Sequence, residues 1–149
     1  MATLTPTLTL SCTDLTSDST NFTVTDSLSV TAPAGSVQKI SSAANPLNAG
    51  AGILLTEAAT TGTTFVYLKH TGKLASDGTT DSHASNDFIT LSNEDGDHDF
   101  IKLQPGEFCF FPLKEFDGSD GGSDSEPGGL KIEAASAAVM IEFAYWTRS

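Results

Sequence analysis

The stretch Asp99–Lys114, D-F-I-K-L-Q-P-G-E-F-C-F-F-P-L-K, decides the fold that the sequence predicts. Two apolar runs meet in it at Gln104-Pro105-Gly106-Glu107. Proline presets φ at the first central position of a tight turn, and glycine tolerates the positive φ of the second. The stretch therefore predicts a strand, a tight turn and a second strand.

The second of these strands is apolar on both faces. Because side chains alternate along a strand, Phe108 and Phe110 share one face. Cys109, Phe111 and Leu113 share the other. A strand with one solvated face would carry polar residues at alternate positions. We therefore expect this strand to lie in the core, covered on one side by a second sheet and on the other by a loop or another subunit, with Cys109 as a buried free thiol.

Short runs of alternating apolar residues recur along the rest of the chain. Clear examples are Phe65–His70, Phe88–Leu91 and Val139–Trp146, and turn residues separate such runs at near-regular intervals. Many short strands with regularly spaced turns are typical of sandwiches and barrels. The sequence therefore predicts an all-β fold, a two-sheet antiparallel β-sandwich that is jelly-roll-like.

At 149 residues and 15.5 kDa, the chain is expected to form a single β-sandwich domain, 1–149. Within it, residues 1–20 are expected to form an N-terminal arm or edge strand. Residues 117–129, D-G-S-D-G-G-S-D-S-E-P-G-G, contain no apolar anchor. We expect them to form a flexible acidic loop.

Two sets of apolar residues are interface candidates. Leu4, Leu8 and Leu10 alternate with polar residues around Pro6, which removes a ladder donor. This segment would be either an edge strand of its own sheet or an arm that pairs with a neighbouring subunit. Met140 and Trp146 lie on the face of the last strand opposite its core face, where they suit either a subunit interface or a packed loop.

Composition and charge bear on partners and location. The net charge is -12, with 19 acidic against 7 basic residues and no basic cluster. Nucleic acid and anionic membrane surfaces are therefore unfavourable partners. The first residues carry no positive charge before Lys39, which predicts no signal peptide and synthesis in a cytoplasm. No apolar run approaches the roughly 20 residues that span a bilayer.

The histidines His70, His83 and His98 are scattered, without the spacing of a zinc site. We expect each to be a surface or turn residue. No nucleotide-binding or nucleophile motif is present, so the sequence predicts no catalytic residue and no cofactor.

Calcium is the one ion that the sequence suggests. The stretch 93–99, N-E-D-G-D-H-D, concentrates oxygen ligands, with Asp95, Asp97 and Asp99 as weak candidates. It departs from an EF-hand, however, because neither the central glycine nor the final glutamate falls in place. A solvated hairpin turn is the alternative.

Residues Leu103–Pro112 resemble the second strand pair of a cupin, in which a Pro-Gly-acid turn leads through an apolar strand to a proline. A metal-bearing cupin would have a histidine soon after that proline and an H-x-H pair before the turn. Here Leu113–Phe116 follows and only His98 precedes. The resemblance implies a jelly roll and argues against a metal enzyme.

A broader resemblance is to small virion structural proteins of tailed phages, marine ones in particular. It is carried by the Thr/Ser-rich start, by Phe65–Lys69 followed by Thr71-Gly72, by Phe100–Pro112 and by the closing strand Val139–Trp146. The resemblance implies a non-enzymatic β-sandwich displayed in many copies on the particle. It implies no catalytic residues.

From this resemblance we expect a capsid decoration or cement protein, located in the virion after synthesis in the host. Its partners would be the major capsid protein or other virion proteins, and it would be a homo-oligomer, with a trimer favoured. Two alternatives remain. One is a subunit associated with the tail, neck or fibre, and the other is a carbohydrate-binding module that uses exposed aromatics such as Tyr67 or Trp146.

Overall fold

A computed structural model describes residues 2–12, 20–30, 34–40, 53–55, 64–83, 85–93, 99–113 and 130–148. Over these ranges the protein is all-β and contains no helix, as the sequence predicts. The strands are β1 (Ala2–Leu4), β2 (Thr7–Cys12), β3 (Thr20–Thr25), β4 (Leu28–Val30), β5 (Ala34–Ile40), β6 (Ile53–Leu55), β7 (Thr64–Leu74), β8 (Ile89–Asn93), β9 (Asp99–Leu103), β10 (Phe108–Leu113), β11 (Leu130–Ala134) and β12 (Val139–Thr147).

The chain divides into two compact units, Met1–Ala32 with Arg148–Ser149, and Pro33–Thr147. In the first unit β1 pairs with β4 and β2 pairs with β3, all antiparallel. The β1–β4 and β2–β3 pairs are separated where Pro6 lies across from Asp26, whose N–H donates to the Pro6 carbonyl oxygen at 3.1 Å. Pro6 has no N–H with which to continue the ladder. The strands Ala2–Leu4 and Thr7–Cys12 thus pair within their own chain, and exchange with a neighbouring subunit stays a prediction.

The second unit is a sandwich of two antiparallel four-stranded sheets. Sheet one has the order β10-β7-β12-β5, and sheet two has the order β6-β11-β8-β9. Their facing sides form one apolar cluster. Its buried members are Ile40, Val66, Leu68, Leu113, Val139, Ile141 and Phe143 from sheet one, and Ile89, Leu91, Leu103, Leu130, Ile132 and Ala134 from sheet two.

The strand pairing of this unit is nested. The first strand, β5, pairs with the last, β12; β6 pairs with β11, β7 with β10, and β8 with β9. One long antiparallel hairpin rolled into two sheets gives this order. The nesting favours the jelly-roll topology that the sequence predicts.

The predicted turn at Gln104–Glu107 is confirmed. Gly106 has a φ of 90°, and the Glu107 N–H donates to the Gln104 carbonyl oxygen at 3.0 Å. The Glu107 carboxylate in turn accepts from the Gln104 N–H at 2.7 Å. The turn does not join paired strands, because β9 belongs to sheet two and β10 to sheet one. It carries the chain from one sheet to the other.

The expected covering of β10 on both sides is not supplied by the described residues. Leu113 is buried, and Cys109 and Phe111 pack half-buried against the core. Phe108 and Phe110, on the opposite face, are 62% and 37% exposed. The two phenylalanines therefore lie outside the core, since a strand of a two-layer sandwich turns only one face inward.

Two predictions about β7 are wrong. The alternating run Phe65–His70 predicts a strand that Thr71-Gly72 ends, but β7 continues to Leu74 through an irregularity opposite Met140. His70 was expected at the surface or in a turn, but its side chain is fully buried. It lies on the inward face of β7, two residues beyond Leu68, because alternation places it there.

We predict that Leu68→Ala lowers the free energy of unfolding by about 2–5 kcal/mol, since it removes a fully buried side chain between the sheets. Phe108→Ala is the matched control on the exposed face of β10 and should cost less than about 1 kcal/mol. Denaturant titration of both variants measures the difference. Equal losses would show that the inward face has been assigned wrongly.

Candidate interaction surface

The outward face of sheet one carries an exposed group of apolar and aromatic side chains. We define the outer aromatic face as Tyr67 of β7, Phe108 and Phe110 of β10, Trp146 of β12 and Val37 of β5. Strand register brings them together. Phe110 lies opposite Tyr67, Phe108 opposite Lys69, and Glu142 lies between Lys69 and Val37 in one row across three strands.

Ring contacts fix part of this face. Phe110 stacks on the buried Phe65 with ring centroids 6.1 Å apart and planes 3° from parallel. Trp146 meets Phe110 edge to face at 6.4 Å and 61°. Such pairs contribute roughly 0.5–1.5 kcal/mol beyond their area burial. Phe110 and Trp146 are therefore held in place, with part of each ring accessible from outside.

Polar groups flank the rings. The Tyr67 hydroxyl donates to Glu142 Oε2 at 3.3 Å, and Lys69 Nζ lies 3.9 Å from the same oxygen. Partial burial, together with the negative charge of Glu142, raises the pKa of Tyr67. The phenol therefore stays protonated as a donor at neutral pH. The ion pair between Lys69 and Glu142 is partly exposed, so it adds little stability. We regard these polar groups as the rim of the aromatic centre.

The predicted interface residues fall on two surfaces. Met140 and Trp146 are half-buried on the outward side of β12, as alternation predicts. In the first unit, Leu8 and Leu10 are exposed on β2, as is Val24, which lies opposite Leu8 on β3. Leu4 of β1 is half-buried.

The paired strands β2 and β3 form a two-stranded ribbon, in which threonines alternate with the apolar residues. Thr7 and Thr25 share a hydrogen bond between their hydroxyls, and so do Thr9 and Thr23. Hydroxyl pairs directly across strands stabilise a sheet modestly. One side of the ribbon is thus polar and the other apolar.

Phe108, Phe110 and Val37 are exposed, although no local sequence pattern marks them as surface residues. The apolar alternation of β10 showed that both faces were hydrophobic, but it gave no sign of which face turns inward. The short strand around Val37 has no apolar alternation that would indicate which of its faces turns outward.

The predicted calcium site is only partly visible. Asp99 is exposed at the start of β9, while Asp95, Asp97, His98 and the acidic loop 117–129 lie outside the described residues. Across the described part of the chain, no group of three or more His, Cys, Asp or Glu side chains is placed to hold a metal ion. His83 is exposed, and its Nδ1 lies 3.0 Å from Ser85 Oγ.

Comparison with known proteins returned no family model, no curated protein and no solved structure that matches the chain. Among the described residues no helix is long and apolar enough to cross a membrane.

Cys109 lies on the inward face of β10, where it packs against the core. It is a free thiol, half-buried rather than fully buried, and burial raises its pKa to about 11. Because the thiolate is the reactive form, little of it exists at neutral pH.

We predict that Cys109 reacts slowly with a thiol reagent such as iodoacetamide at pH 8 and reacts fully once the protein is unfolded. The matched variant is Phe108→Cys in a Cys109→Ser background, which moves the thiol one residue to the exposed face. It should react at least about tenfold faster, because exposure and thiolate fraction both rise. Peptide mass spectrometry at each site measures the rates, and similar rates would contradict the orientation of β10.

Proposed function

We propose that this protein is a non-enzymatic structural protein of a phage virion, of the capsid decoration or cement type. In this proposal it binds other virion proteins, above all the major capsid protein, through the outer aromatic face. The observation that carries the proposal is that face: a sandwich that is apolar inside also presents aromatic side chains on the outside of one sheet. Contiguous exposed apolar patches mark interaction sites.

The composition of the outer aromatic face suits a protein partner. Interfaces are enriched in aromatic residues and methionine at their centre and are polar at the rim. Here Phe108, Phe110 and Trp146 supply the centre, and Lys69 with Glu142 supplies the rim. Half-buried Met140 extends the same side of β12.

Charge supports the same reading. The chain has a formal charge of -12, yet the described strands of sheet one carry Lys39, Lys69 and Glu142 on their outward side, together with Lys73, which is paired with Asp81. The sheet face therefore has more positive than negative charge on a strongly acidic protein. An acidic copy or capsid surface approaching this side meets less repulsion than it would elsewhere.

The phage assignment rests on the resemblance of the sequence to virion proteins, and the surface described above fits it. A homo-oligomer, with a trimer favoured, and a place on the virion belong to the same proposal. A tail, neck or fibre-associated subunit differs in copy number, since decoration proteins cover a shell in many copies.

Carbohydrate binding is the second candidate. The observation in its favour is that the Tyr67 hydroxyl and the Glu142 carboxylate stand beside accessible rings of Phe110 and Trp146. A sugar can stack on aromatic rings while its hydroxyls bond to such polar groups. The same residues would then serve a glycan.

We predict that the double variant Val37→Ser/Phe108→Ser binds virus particles at least about tenfold more weakly than the native protein. Both side chains are more than half exposed, at 58% and 62%, so their loss should leave the fold intact while removing apolar contact area. Phe100→Ser is the matched control, because Phe100 is 45% exposed on β9 of the other sheet. Cosedimentation with particles of the encoding phage that lack the protein measures binding and copy number.

Equal binding by the native protein and the double variant would reject the outer aromatic face as the docking surface. A few copies per particle would favour the tail, neck or fibre alternative. Failure to bind particles together with a specific signal on a glycan array would favour the carbohydrate-binding module.

A further inference from the structure

The second unit contains a buried histidine that the proposed function does not use. His70 is fully buried on the inward face of β7. Its Nδ1 accepts a hydrogen bond from the Gly72 N–H at 3.0 Å, and its Nε2 lies 2.6 Å from the Asp87 carbonyl oxygen. A carbonyl can only accept, so Nε2 carries the proton. The two backbone partners thus require the neutral ring with hydrogen on Nε2.

Protonation of this ring has a direct structural cost. A second ring proton would sit on Nδ1 and face the Gly72 N–H, which is also a donor. The hydrogen bond would be lost, and a positive charge would be buried in an apolar core. Burial accordingly lowers the pKa of His70, while Asp87 opposes part of that effect.

The ring holds the segment that joins β7 to β8, Ala75–Phe88, which we name the 75–88 connection. Its far end is fixed through Asp87. The Asp87 carboxylate accepts from Ser136 Oγ and from the His83 N–H, both at 2.6 Å, while its carbonyl oxygen contacts His70.

The near end of the connection is fixed by backbone bonds around the irregularity in β7. The Ser82 N–H donates to the Gly72 carbonyl oxygen and the Leu74 N–H to the Thr80 carbonyl oxygen, both at 2.9 Å. Gly72 has a φ of 78°, which favours glycine. Gly72 therefore bonds to the His70 ring through its N–H and to Ser82 of the connection through its carbonyl oxygen.

Little apolar burial holds the connection beyond these polar bonds. Among its described residues, Ala75 and Asp87 are buried, Ser82 and Phe88 are half-buried, and the others are exposed. Segments with few buried apolar contacts open at lower free energy than the core. A protonated ring keeps its Nε2 bond to the Asp87 carbonyl oxygen, but it loses the bond from Gly72 and buries a charge beside the end of the connection. We therefore expect the connection to open first.

Charged residues lie near His70 on the 75–88 connection and on the β9–β10 turn. From the connection, Asp87 is the facing acid, and hydrogen bonds led by that from Ser136 lower the pKa of its carboxyl. From the β9–β10 turn, Glu107 presents its backbone oxygen to the His70 N–H, while its carboxylate accepts from the Gln104 N–H. From β12, the residue opposite His70 is Ile141. His83 of the connection is a second imidazole, and it acts on the Asp87 carboxylate. Among the described residues, the His70 ring is the titratable side chain that bonds both to Gly72 and to the connection.

We propose that His70 is an acid-sensitive latch, in which protonation of the buried ring releases the 75–88 connection from the end of the sandwich while the two-sheet core stays folded. This inference is independent of the proposed function.

The direction of the pH effect follows from proton binding. The pKa of His70 lies below its ordinary value of 6.5 in the folded protein, so below about pH 6.5 an unfolded or opened state binds more protons than the closed state. The closed state is fully favoured above that pH and loses stability as the pH falls through the lowered pKa. Asp87 remains charged throughout this window, so it does not contribute.

The test is amide hydrogen exchange of the full chain between pH 7.5 and pH 5, corrected for intrinsic exchange rates. We expect the protection factors of the Gly72 and Ser82 amides to fall at least about tenfold on acidification, while those of Leu68 and Leu91 in the core strands hold. Parallel loss at all four amides would overturn the latch, because it would mean global unfolding. Unchanged protection at Gly72 and Ser82 would also overturn it.

Two variants isolate the imidazole. His70→Asn keeps an oxygen near the position of Nδ1 and has no titration in this range, so the pH dependence of Gly72 protection should disappear. His83→Asn changes the exposed histidine beside the same segment and should leave the pH dependence intact. Loss of the pH dependence in His83→Asn would show that His83, and not His70, causes the effect, and it would overturn the latch.

Imidazole nuclear magnetic resonance of the native protein tests the latch even if His70→Asn fails to fold. At pH 7.5 the His70 ring should be neutral with its proton on Nε2, and its protonation should coincide with the loss of Gly72 protection. A ring that titrates near its ordinary pKa without any change in protection would refute the proposal.

Discussion

The second unit depends on one constraint, the burial of one face of each sheet against the other. Alternation gives every strand two faces, and a two-layer sandwich can bury only one of them. Val66, Leu68 and His70 take the inward positions of β7, which leaves Tyr67 and Lys69 on the outside. The inward face of β10 takes Leu113 in the same way, so its phenylalanines at 108 and 110 must turn outward. The core thus determines the candidate interaction surface, because aromatic residues occupy both sides of a strand that can bury only one.

The same constraint explains why a polar group sits in the core. The inward position after Leu68 in β7 is occupied by a histidine, and a buried polar side chain needs partners. The glycine two residues further on supplies a donor to one ring nitrogen, and the connection supplies a carbonyl to the other. A strand irregularity and a loop end are therefore organised by one side chain.

Much of the fold could be predicted from the sequence because it depends on local patterns. The turn at Gln104–Glu107 follows from proline and glycine chemistry, and the strand character of β7, β8 and β12 follows from period-two alternation. Alternation also predicts the inward position of His70, since it continues the series Val66, Leu68, whereas the polarity of a lone histidine favours the surface. The choice of inward face in β10 and the pairing of β5 with β12 depend on contacts between distant strands, and no local pattern encodes them. The candidate surface therefore depends on the strand register and ring packing that place Phe110 beside Tyr67 and Trp146.

Pro112 has a consequence for how copies of this protein can crowd together. It lies in β10, the strand at one margin of sheet one. Proline is tolerated at a sheet margin, where its missing N–H faces solvent. A strand from another molecule would find a donor absent there, so extension of the sheet from molecule to molecule is disfavoured. Dense arrays of this protein would then be protected against fibrillar aggregation on that side, even though aromatic side chains are exposed on the adjoining face of the sheet.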